Sequence, residues 1–440
     1  MMYNPTLNSS LLRGLVIAVS NPSDWNLNPD ALLWWKNTHP ILWNLLVYGG
    51  YSWRQQLSAL KFYHTYIVPS LGSFPRAGDV SPKWQSFMTD DFSPIEFSWN
   101  WGNSQGVVDR RVRFSIEAIS EESGTVTDPW NQKASLELVE RLQLRIPDMN
   151  VEWFHRLLKD FTPTKESFSE ATLSLLDSQR PRTSIFLAFE LRDEMPVVKA
   201  YFLPFAKAME TSQPGSAVIF RSLATFAQEV NWSSLESLTQ ALEMHKLLGI
   251  DPFMIAFDCV TPKQSRMKIY ARCPDIRLES VEEVMSLFED TSKISNGIKD
   301  LRKLWGLLFG CNGASGDSAG NLPYKAHLTS GILYYFEVRP ESPKITTKVY
   351  LPVRHYAEND LSVAKGLQTF FKDRGTKQDQ IARDFMKVLN QICSYRRLDS
   401  ATGLQTYISC KIEKDSLELT SYLSPEIYHE GRWASGDPAQ

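Results

Sequence analysis

Short runs in which apolar and polar residues alternate recur along this chain, and they come in adjacent pairs. Strict alternation predicts β-strands with one buried face, and two such runs joined by a polar or glycine-rich turn predict a hairpin. Ten strands are predicted in this way, at residues 95–101, 111–119, 184–191, 197–203, 253–260, 266–272, 331–338, 346–353, 405–412 and 416–422. The pattern therefore predicts five β-hairpins.

Between the hairpins, apolar residues recur every three or four positions, which predicts amphipathic helices. These helices are predicted at residues 29–35, 53–63, 134–144, 151–161, 233–248, 281–288, 298–308, 361–371 and 378–392. Strands that alternate with helices ordinarily favour a parallel sheet, whereas strands in adjacent pairs favour antiparallel hairpins. Closing the hairpins into one barrel with helices outside leaves no exposed sheet edge. We therefore predict an α+β fold, with residues 1–440 in one domain and a lumen wide enough for a ligand.

One short sequence pattern recurs four times within the strands. It lies at residues 198–204, 267–270, 347–352 and 419–425, and three of the four copies contain Lys-x-Tyr. Because residues two apart in a strand share a face, each such copy places a cation beside a phenol. A single copy is more often an ordinary amphipathic strand, but recurrence argues against that interpretation. Cations gathered with electron-rich rings suit a ligand with an anionic head and a carbon centre that becomes positive, such as an allylic diphosphate.

Composition and charge limit the kinds of partner expected for this protein. The 440 residues are 43% hydrophobic and 22% charged, which is typical of a globular protein with a large core. The net charge of −3 gives no general attraction to nucleic acid or an anionic membrane, so we expect neither as a partner. The five cysteines are scattered without C-x-x-C spacing, which favours a reducing compartment. No apolar run is long enough for a membrane span, and we expect a cytoplasmic protein.

Six segments carry a resemblance to a known family. They are Ser93-Pro94-Ile95-Glu96-Phe97-Ser98-Trp99-Asn100-Trp101, Val112-Arg113-Phe114-Ser115-Ile116-Glu117, Val198-Lys199-Ala200-Tyr201, Ser265-Arg266-Met267-Lys268-Ile269-Tyr270, Lys348-Val349-Tyr350 and Thr406-Tyr407-Ile408-Ser409. In these segments, and from about residue 34 to residue 428, the chain resembles the fungal dimethylallyltryptophan synthase family of aromatic prenyltransferases. The resemblance implies an αββα prenyltransferase barrel that transfers a prenyl group from an allylic diphosphate to an electron-rich aromatic carbon.

The resemblance also implies roles for individual residues. Diphosphate binding is assigned to Arg113, Lys199, Arg266, Lys268 and Lys348, and shielding of the allylic carbocation to Tyr201, Tyr270, Tyr350, Tyr407 and Tyr422. Glu96 matches the family's acidic residue, which accepts a hydrogen bond from an indole N–H and orients the acceptor ring. Fixed cations would stabilise the charge that develops on pyrophosphate in a lumen of low dielectric.

No metal or other cofactor is expected. Many prenyl-chain synthases hold magnesium with a D-D-x-x-D run, and this chain has none, since Asp90-Asp91 is followed by Phe-Ser-Pro-Ile. The missing run also disfavours a terpene cyclase, another enzyme that ionises allylic diphosphates. A non-catalytic barrel that binds an aromatic metabolite is a further alternative, and the five cations argue against it because a neutral polycycle needs no diphosphate clamp.

Two departures from the tryptophan-prenylating members bear on the acceptor. Phe186 stands where those enzymes carry a lysine proposed to take the ring proton, and Glu413 stands at a further arginine position. The sequence at residues 334–336, 350–356 and 397–407 resembles the branch that acts on polycyclic metabolites more than it resembles the tryptophan-prenylating members. We expect an indole diterpene, because Glu96 can accept an indole N–H. Alternatives are a xanthone, a naphthacenedione or a tryptophan-containing cyclic dipeptide.

The donor depends on the size of the pocket. Ile95, Phe186 and Gly331 are assigned to the acceptor or donor pocket, and the resemblance places Gly331 near the wall that limits donor length. A glycine there would leave room for geranyl diphosphate, although a strand bend explains it equally well. Dimethylallyl diphosphate remains the expected donor. Whether the chain forms a homodimer is left open.

Overall fold

The computed structural model describes residues 27–76, 82–102, 111–163, 181–192, 194–229, 232–245, 249–310, 320–372, 374 and 376–434. Its centre is a closed barrel of antiparallel strands in the order β1-β10-β9-β8-β7-β6-β5-β4-β3-β2. The strands are β1 (Ile95–Gly102), β2 (Val112–Ile116), β3 (Ile185–Glu190), β4 (Val197–Phe202), β5 (Asp251–Asp258), β6 (Met267–Cys273), β7 (Ile332–Val338), β8 (Thr346–Leu351), β9 (Gln405–Glu413) and β10 (Ser416–Leu423). The predicted barrel of ten antiparallel strands surrounded by helices is confirmed.

Helices connect the hairpins and cover the outside of the barrel. They are α1 (Pro29–Tyr48), α2 (Trp53–Phe62), α3 (Lys133–Gln143), α4 (Glu152–Phe161), α5 (Phe205–Thr211), α6 (Gly215–Glu229), α7 (Ser233–His245), α8 (Leu278–Ser286), α9 (Ser295–Phe309), α10 (Val353–Tyr356), α11 (Asp360–Lys372), α12 (Thr376–Ile392) and α13 (Gly431–Ala434). The helix predictions missed α5 and α6 and the short helices α10 and α13. Helices α5 and α6 each follow a proline, Pro204 or Pro214, which reads as a break but suits a helix start, where no N–H is needed.

The main hydrophobic core lies between the barrel and the helices. Outward side chains of β1 illustrate it, because the rings of Trp99 and Trp101 pack 5.6 and 4.7 Å from the ring of Phe385 on α12. Phe114 of β2 similarly stacks on Phe189 of β3 at 5.1 Å. Since neighbouring side chains in a strand point to opposite faces, this outer core leaves every second residue to the lumen.

None of the helices in the described part of the chain has both the length and the apolar character needed to cross a lipid bilayer.

Candidate active site

The lumen carries two layers of side chains, one charged and one aromatic. Each Lys-x-Tyr strand contributes its lysine to one layer and its tyrosine, two positions along, to the other. The charged layer contains Arg113, Lys199, Arg266, Lys268 and Lys348 with the carboxylates of Glu190, Asp258 and Glu337. The aromatic layer contains Phe186, Tyr201, Tyr270, Tyr335, Tyr350, Tyr407 and Tyr422 in one cluster.

Glu190 at the end of β3 organises one side of the charged layer. Its carboxylate accepts from Arg113 Nε at 2.9 Å, from Lys199 Nζ at 2.7 Å and from Arg111 Nη1 at 2.9 Å. Burial opposes ionisation, but the charges of Arg113 and Lys199 prevail and hold the pKa of Glu190 far below its usual range. Glu190 therefore holds two of the predicted diphosphate-binding residues, Arg113 and Lys199, side by side.

Asp258 and Glu337 hold the opposite side. Arg266 lies just before β6 and contacts Asp258 Oδ2 through Nε at 2.7 Å and Glu337 Oε2 through Nη1 at 3.2 Å. Asp258 Oδ1 is also 4.0 Å from Lys199 Nζ, so the two sides are linked. Against the effect of burial, Lys268 and Lys199 lower the pKa of Asp258, which stays ionised.

Lys268 and Lys348 differ from the other three cations. Among the described residues, neither has a carboxylate oxygen within 4.0 Å, and Lys348 Nζ donates to Thr420 Oγ1 at 3.3 Å. Burial lowers the pKa of Lys348 to about 7 and that of Lys268 well below the value for free lysine. Burial also lowers the pKa of Lys199 to about 8. Asp258 and Glu337 favour the charged form of Lys268 from beyond 4.0 Å, and Glu418 does the same for Lys348. An anionic ligand would add a closer counter-charge to both lysines.

The aromatic layer is a connected cage of rings around Tyr350. Its ring centre lies 5.3 Å from that of Tyr422 and 6.0 Å from those of Tyr270 and Tyr407. Tyr270 in turn lies 5.9 Å from Tyr201. The structure thus brings all five predicted shielding tyrosines to one place. Rings at these distances present the π faces that stabilise a nearby carbocation.

The two layers touch at Tyr335. Lys268 Nζ lies 5.3 Å from the centre of this ring, and Lys348 Nζ lies 5.9 Å from it and 5.9 Å from the ring of Tyr350. A ligand whose anionic head meets the lysines would therefore place its attached carbons against the tyrosines.

Glu96 on β1 is the predicted acidic residue, and it reaches the aromatic layer. One oxygen accepts from Thr406 Oγ1 at 2.6 Å. Burial raises the pKa of Glu96 to about 7, and the hydrogen bond from Thr406 and the charge of Arg354 offset only part of that effect. A carboxyl group with this pKa changes its charge near neutral pH, so it can accept a hydrogen bond or a proton there.

Arg354 of α10 stands beside Glu96. Its Nε contacts Asp90 Oδ2 at 2.9 Å, and its Nη2 donates to the hydroxyl of Tyr407 at 2.8 Å. The guanidinium carbon also lies 4.4 Å from the centre of the Tyr407 ring. These contacts fix the position of Tyr407 at the edge of the cage.

An inner cavity of about 120 Å³ lies within the aromatic layer. Its lining includes Glu96, Phe186, Tyr201, Tyr270, Tyr350, Tyr407 and Tyr422, together with Arg272, Thr329 and Arg354. Phe186 therefore lies at the predicted pocket. The ring offers no proton acceptor to a bound acceptor molecule.

The pocket prediction for Ile95 is wrong, whereas Gly331 lines a cavity other than the inner one. Ile95 is fully buried in the outer core, because it precedes Glu96 in β1 and points to the opposite face. Gly331 does not line the inner cavity but a second cavity at the barrel mouth. Its φ is +84°, and a Cβ there would lie 2.6 Å from the carbonyl oxygen of Cys273. Close backbone approach, rather than donor length, explains this glycine.

Several lumen residues were missed from the sequence, and three of them show why. Tyr335 could have been found, since Tyr334 and Phe336 alternate as core residues and leave Tyr335 facing inward. Lys411 could have been found only with the strand register, which pairs it with Lys348. Arg354 had no local signal, because the turn from β8 into α10 decides where it points.

Asp90, His327 and His355 are the one group in the described part of the chain with metal-ligating atoms close together, within 4.8 Å of one another. The hydroxyl of Thr329 occupies their centre, at 3.0 Å from Asp90 Oδ1, 2.9 Å from His327 Nδ1 and 2.8 Å from His355 Nε2. Arg354 already supplies a cation to Asp90. The group is satisfied by hydrogen bonds and is not arranged around an ion.

Comparison with known proteins places this site in a family. A sequence profile described as tryptophan dimethylallyltransferase matches residues 30–387. The chain is 32% identical over 405 residues to 4-O-dimethylallyl-L-tyrosine synthase of Claviceps purpurea, covering 91% of this chain and 89% of that protein. It is 32% identical over 412 residues to 7-dimethylallyltryptophan synthase of Aspergillus fumigatus, covering 90% and 85%.

A comparison with solved structures also finds a protein of similar fold. The crystal structure of AnaPT from Neosartorya fischeri superposes with a TM-score of 0.78 at 26% identity, covering 93% of this chain and 97% of that chain. These matches span nearly the full length of both partners, including the barrel that carries the two layers. The chain therefore belongs to the tryptophan dimethylallyltransferase family and is an aromatic prenyltransferase.

Proposed function

We propose that this enzyme transfers a dimethylallyl group from dimethylallyl diphosphate to an aromatic carbon of an indole-containing fungal metabolite, without a metal ion. One observation carries the proposal. Lys268 and Lys348 lie close to rings of the aromatic layer, and one of these rings, Tyr350, lines the inner cavity together with the half-buried Glu96. Donor head, reactive carbon and acceptor ring each have a matching surface.

The charged layer would drive ionisation of the donor. Breaking the carbon–oxygen bond leaves the electron pair on pyrophosphate, and preorganised cations stabilise that charge without rearrangement. Arg113, Lys199 and Arg266 are held by carboxylates, whereas Lys268 and Lys348 would gain their counter-charge from the diphosphate. The tyrosines would then shield the allylic cation from water.

Glu96 would orient the acceptor. Its carboxylate can accept the indole N–H, which increases electron density on the ring as the ring carbon attacks the allylic cation. A new carbon–carbon bond forms, and the attacked carbon then loses its proton to restore aromaticity. Phe186 cannot take that proton, so Glu96 is our candidate for proton acceptance as well as orientation.

Metal independence rests on what the acidic residues contact. Asp90 is engaged by Arg354 and Thr329, and Asp91 accepts from Thr89, Ser93 and Ser424. Five cations already face the donor side of the lumen. Turnover should therefore be unchanged in EDTA. Loss of turnover in EDTA that Mg²⁺ restores would contradict the proposal.

An indole diterpene is the acceptor we propose to test first. Glu96 provides the N–H acceptor, and Phe186 makes the wall beside it apolar. Xanthones, naphthacenediones and tryptophan-containing cyclic dipeptides are the alternatives, with geranyl diphosphate as the competing donor. A barrel that only binds aromatic metabolites is the non-catalytic alternative.

One experiment separates these possibilities. The protein is incubated with dimethylallyl or geranyl diphosphate and a panel of tryptophan, cyclic dipeptides, indole diterpenes and xanthones, and products are analysed by mass spectrometry. We expect addition of C5H8 to an indole compound. Addition of C10H16, or addition to xanthones alone, would correct the donor or the acceptor. The absence of any adduct, with acceptor binding retained, would favour the binding barrel.

A further inference from the structure

A second cavity adjoins the inner cavity at the mouth of the barrel. It measures about 430 Å³ and shares three lining residues, Phe87, Phe253 and Arg272, with the inner cavity. We call it the mouth chamber. Because the same three side chains line both spaces, the two cavities are adjacent, and a molecule whose ring lies beside Glu96 would pass these side chains to reach the mouth chamber.

The sizes of the two cavities indicate that each would hold a different part of the acceptor. Pockets for small organic ligands usually measure about 300–1,000 Å³. The inner cavity, at about 120 Å³, is too small for a polycyclic molecule together with a prenyl chain. The mouth chamber alone falls within the usual range.

The lining of the mouth chamber is mainly apolar. Phe205, Phe253 and Ile276 form part of its wall. At its rim, Tyr324 and Leu328 are 84% and 57% exposed, so the apolar lining continues to the protein surface. A wider groove of about 980 Å³ continues outward and shares Phe205, Phe253 and Leu328 with the chamber.

Three charged residues line the mouth chamber, and two of them, Asp251 and Lys325, are exposed. Arg272 directs Nη1 to the carbonyl oxygens of Thr329 and Ser330 at 2.5 and 3.1 Å, and its guanidinium lies 5.5 Å from the ring of Phe253. Asp251 pairs with Arg272 in the strand register, yet the described residues include no ion pair between them within 4.0 Å. The chamber therefore offers apolar area first.

We propose that the mouth chamber binds an apolar alicyclic or polycyclic body attached to the aromatic ring of the acceptor. The inference rests on the proposed function and refines it, because it selects large acceptors over free amino acids. Burial of the apolar body would contribute most of the affinity, while Glu96 sets the orientation of the ring.

Two compounds with the same indole ring test the chamber. They are 3-methylindole and 3-(1-adamantylmethyl)indole, and their dissociation constants are measured by calorimetry on the full chain. We expect the adamantyl compound to bind wild type at least about tenfold more tightly, from its extra buried apolar area. Leu328→Arg should remove about tenfold of that affinity by placing a charge against the apolar body, and leave 3-methylindole within about twofold. Leu144→Arg, at a leucine that is 91% exposed and away from all three cavities, is the matched control.

Each result decides one of the two proposals. Equal binding of the two indoles, or equal effects of Leu328→Arg and Leu144→Arg, would overturn the mouth chamber. Tighter binding of free tryptophan by Leu328→Arg would also overturn it, since a carboxylate would then lie at that position. Products from both indoles with dimethylallyl diphosphate are analysed in parallel. Selective binding without any prenylated product would support the chamber and reject the proposed transfer to an indole ring.

Discussion

The charged layer and the aromatic layer line the same barrel, but they are built on opposite principles. In the charged layer, Glu190, Asp258 and Glu337 hold Arg113, Lys199 and Arg266 through contacts of 2.7–3.2 Å. In the aromatic layer, the rings mainly contact one another at 5.3–6.0 Å. A buried cation costs several kcal/mol unless it is paired, whereas a buried ring needs no partner of opposite charge.

This difference shows which cations of the site form no close ion pair with a protein carboxylate. The protein forms close ion pairs with three of the five predicted diphosphate-binding residues, whereas no carboxylate oxygen among the described residues lies within 4.0 Å of Lys268 or Lys348. Burial lowers the pKa values of both lysines, so an anion bound next to the rings would favour their charged forms. In the aromatic layer the charged side chains are Glu96 and, at the edge of the inner cavity, Arg272 and Arg354. Under the proposed function, donor chemistry and acceptor chemistry would be separated by layer.

The largest effect is expected from removing an unpaired cation. Lys348→Met should lower kcat/KM for dimethylallyl diphosphate by about 10²–10³-fold, the usual cost of losing one preorganised group that stabilises developing negative charge. Because Lys348 contacts Thr420 and no carboxylate, the melting temperature should stay near that of wild type. Steady-state kinetics with varied donor measure the effect. Lys293→Met, at a lysine whose side chain is 79% exposed, is the control. Wild-type kinetics in Lys348→Met would mean that the donor lies elsewhere.

The next effect concerns the single carboxyl group of the aromatic layer. Glu96→Gln should lower kcat by about 10²-fold, because the amide orients the acceptor less strongly and cannot take a proton. The pKa of Glu96, about 7, predicts that wild-type activity falls as the pH drops below 7, and this decline should be absent in Glu96→Gln. Thr406→Val keeps the carboxylate and removes its hydrogen bond, so a smaller loss is expected. Equal activity of Glu96→Gln and wild type across the pH range would reject this role.

A smaller effect follows from the lowered pKa of Lys348. Its pKa of about 7 without donor means that the ammonium form dominates below pH 7 and is lost above it. Diphosphate binding favours the charged form, so donor affinity should be highest below pH 7 and fall by up to about tenfold per pH unit above it. Calorimetry at pH 8 in buffers of different ionisation enthalpy should detect proton uptake on binding. Uptake should decrease in Lys348→Met; unchanged uptake would place the titrating group elsewhere.

The smallest effect tests whether rings or hydroxyl groups matter in the aromatic layer. Tyr350→Phe removes only the hydroxyl that accepts from Tyr422 at 3.4 Å, and kcat should stay within about threefold, since the π face remains. Tyr350→Leu should lose about tenfold and release more dimethylallyl alcohol, because water reaches the carbocation. The ratio of alcohol to prenylated product measures this. If Phe and Leu behave alike, the tyrosine hydroxyl rather than the ring is the important group.

Much of this architecture was predictable because it depends on local periodicity. Alternation identified every strand, and the two-residue spacing of Lys199 and Tyr201 already implied two layers. Helix α6 was missed, since Pro214 and Gly215 mask its start. Ile95 was misplaced for a different reason. It was assigned with its neighbour Glu96, although a strand turns neighbours to opposite faces.

The sequence by itself determined the strands, the repeated pairing of lysine with tyrosine and the choice of donor chemistry, because period-two patterns and side-chain charge are local properties. Only the tertiary structure decided which charges are paired, where Arg354 points and where the mouth chamber opens. Those features depend on contacts between residues far apart in the chain, such as Glu96 with Thr406, and on how the barrel closes. Side-chain positions at the mouth are set by turns and packing, which carry no periodic signal.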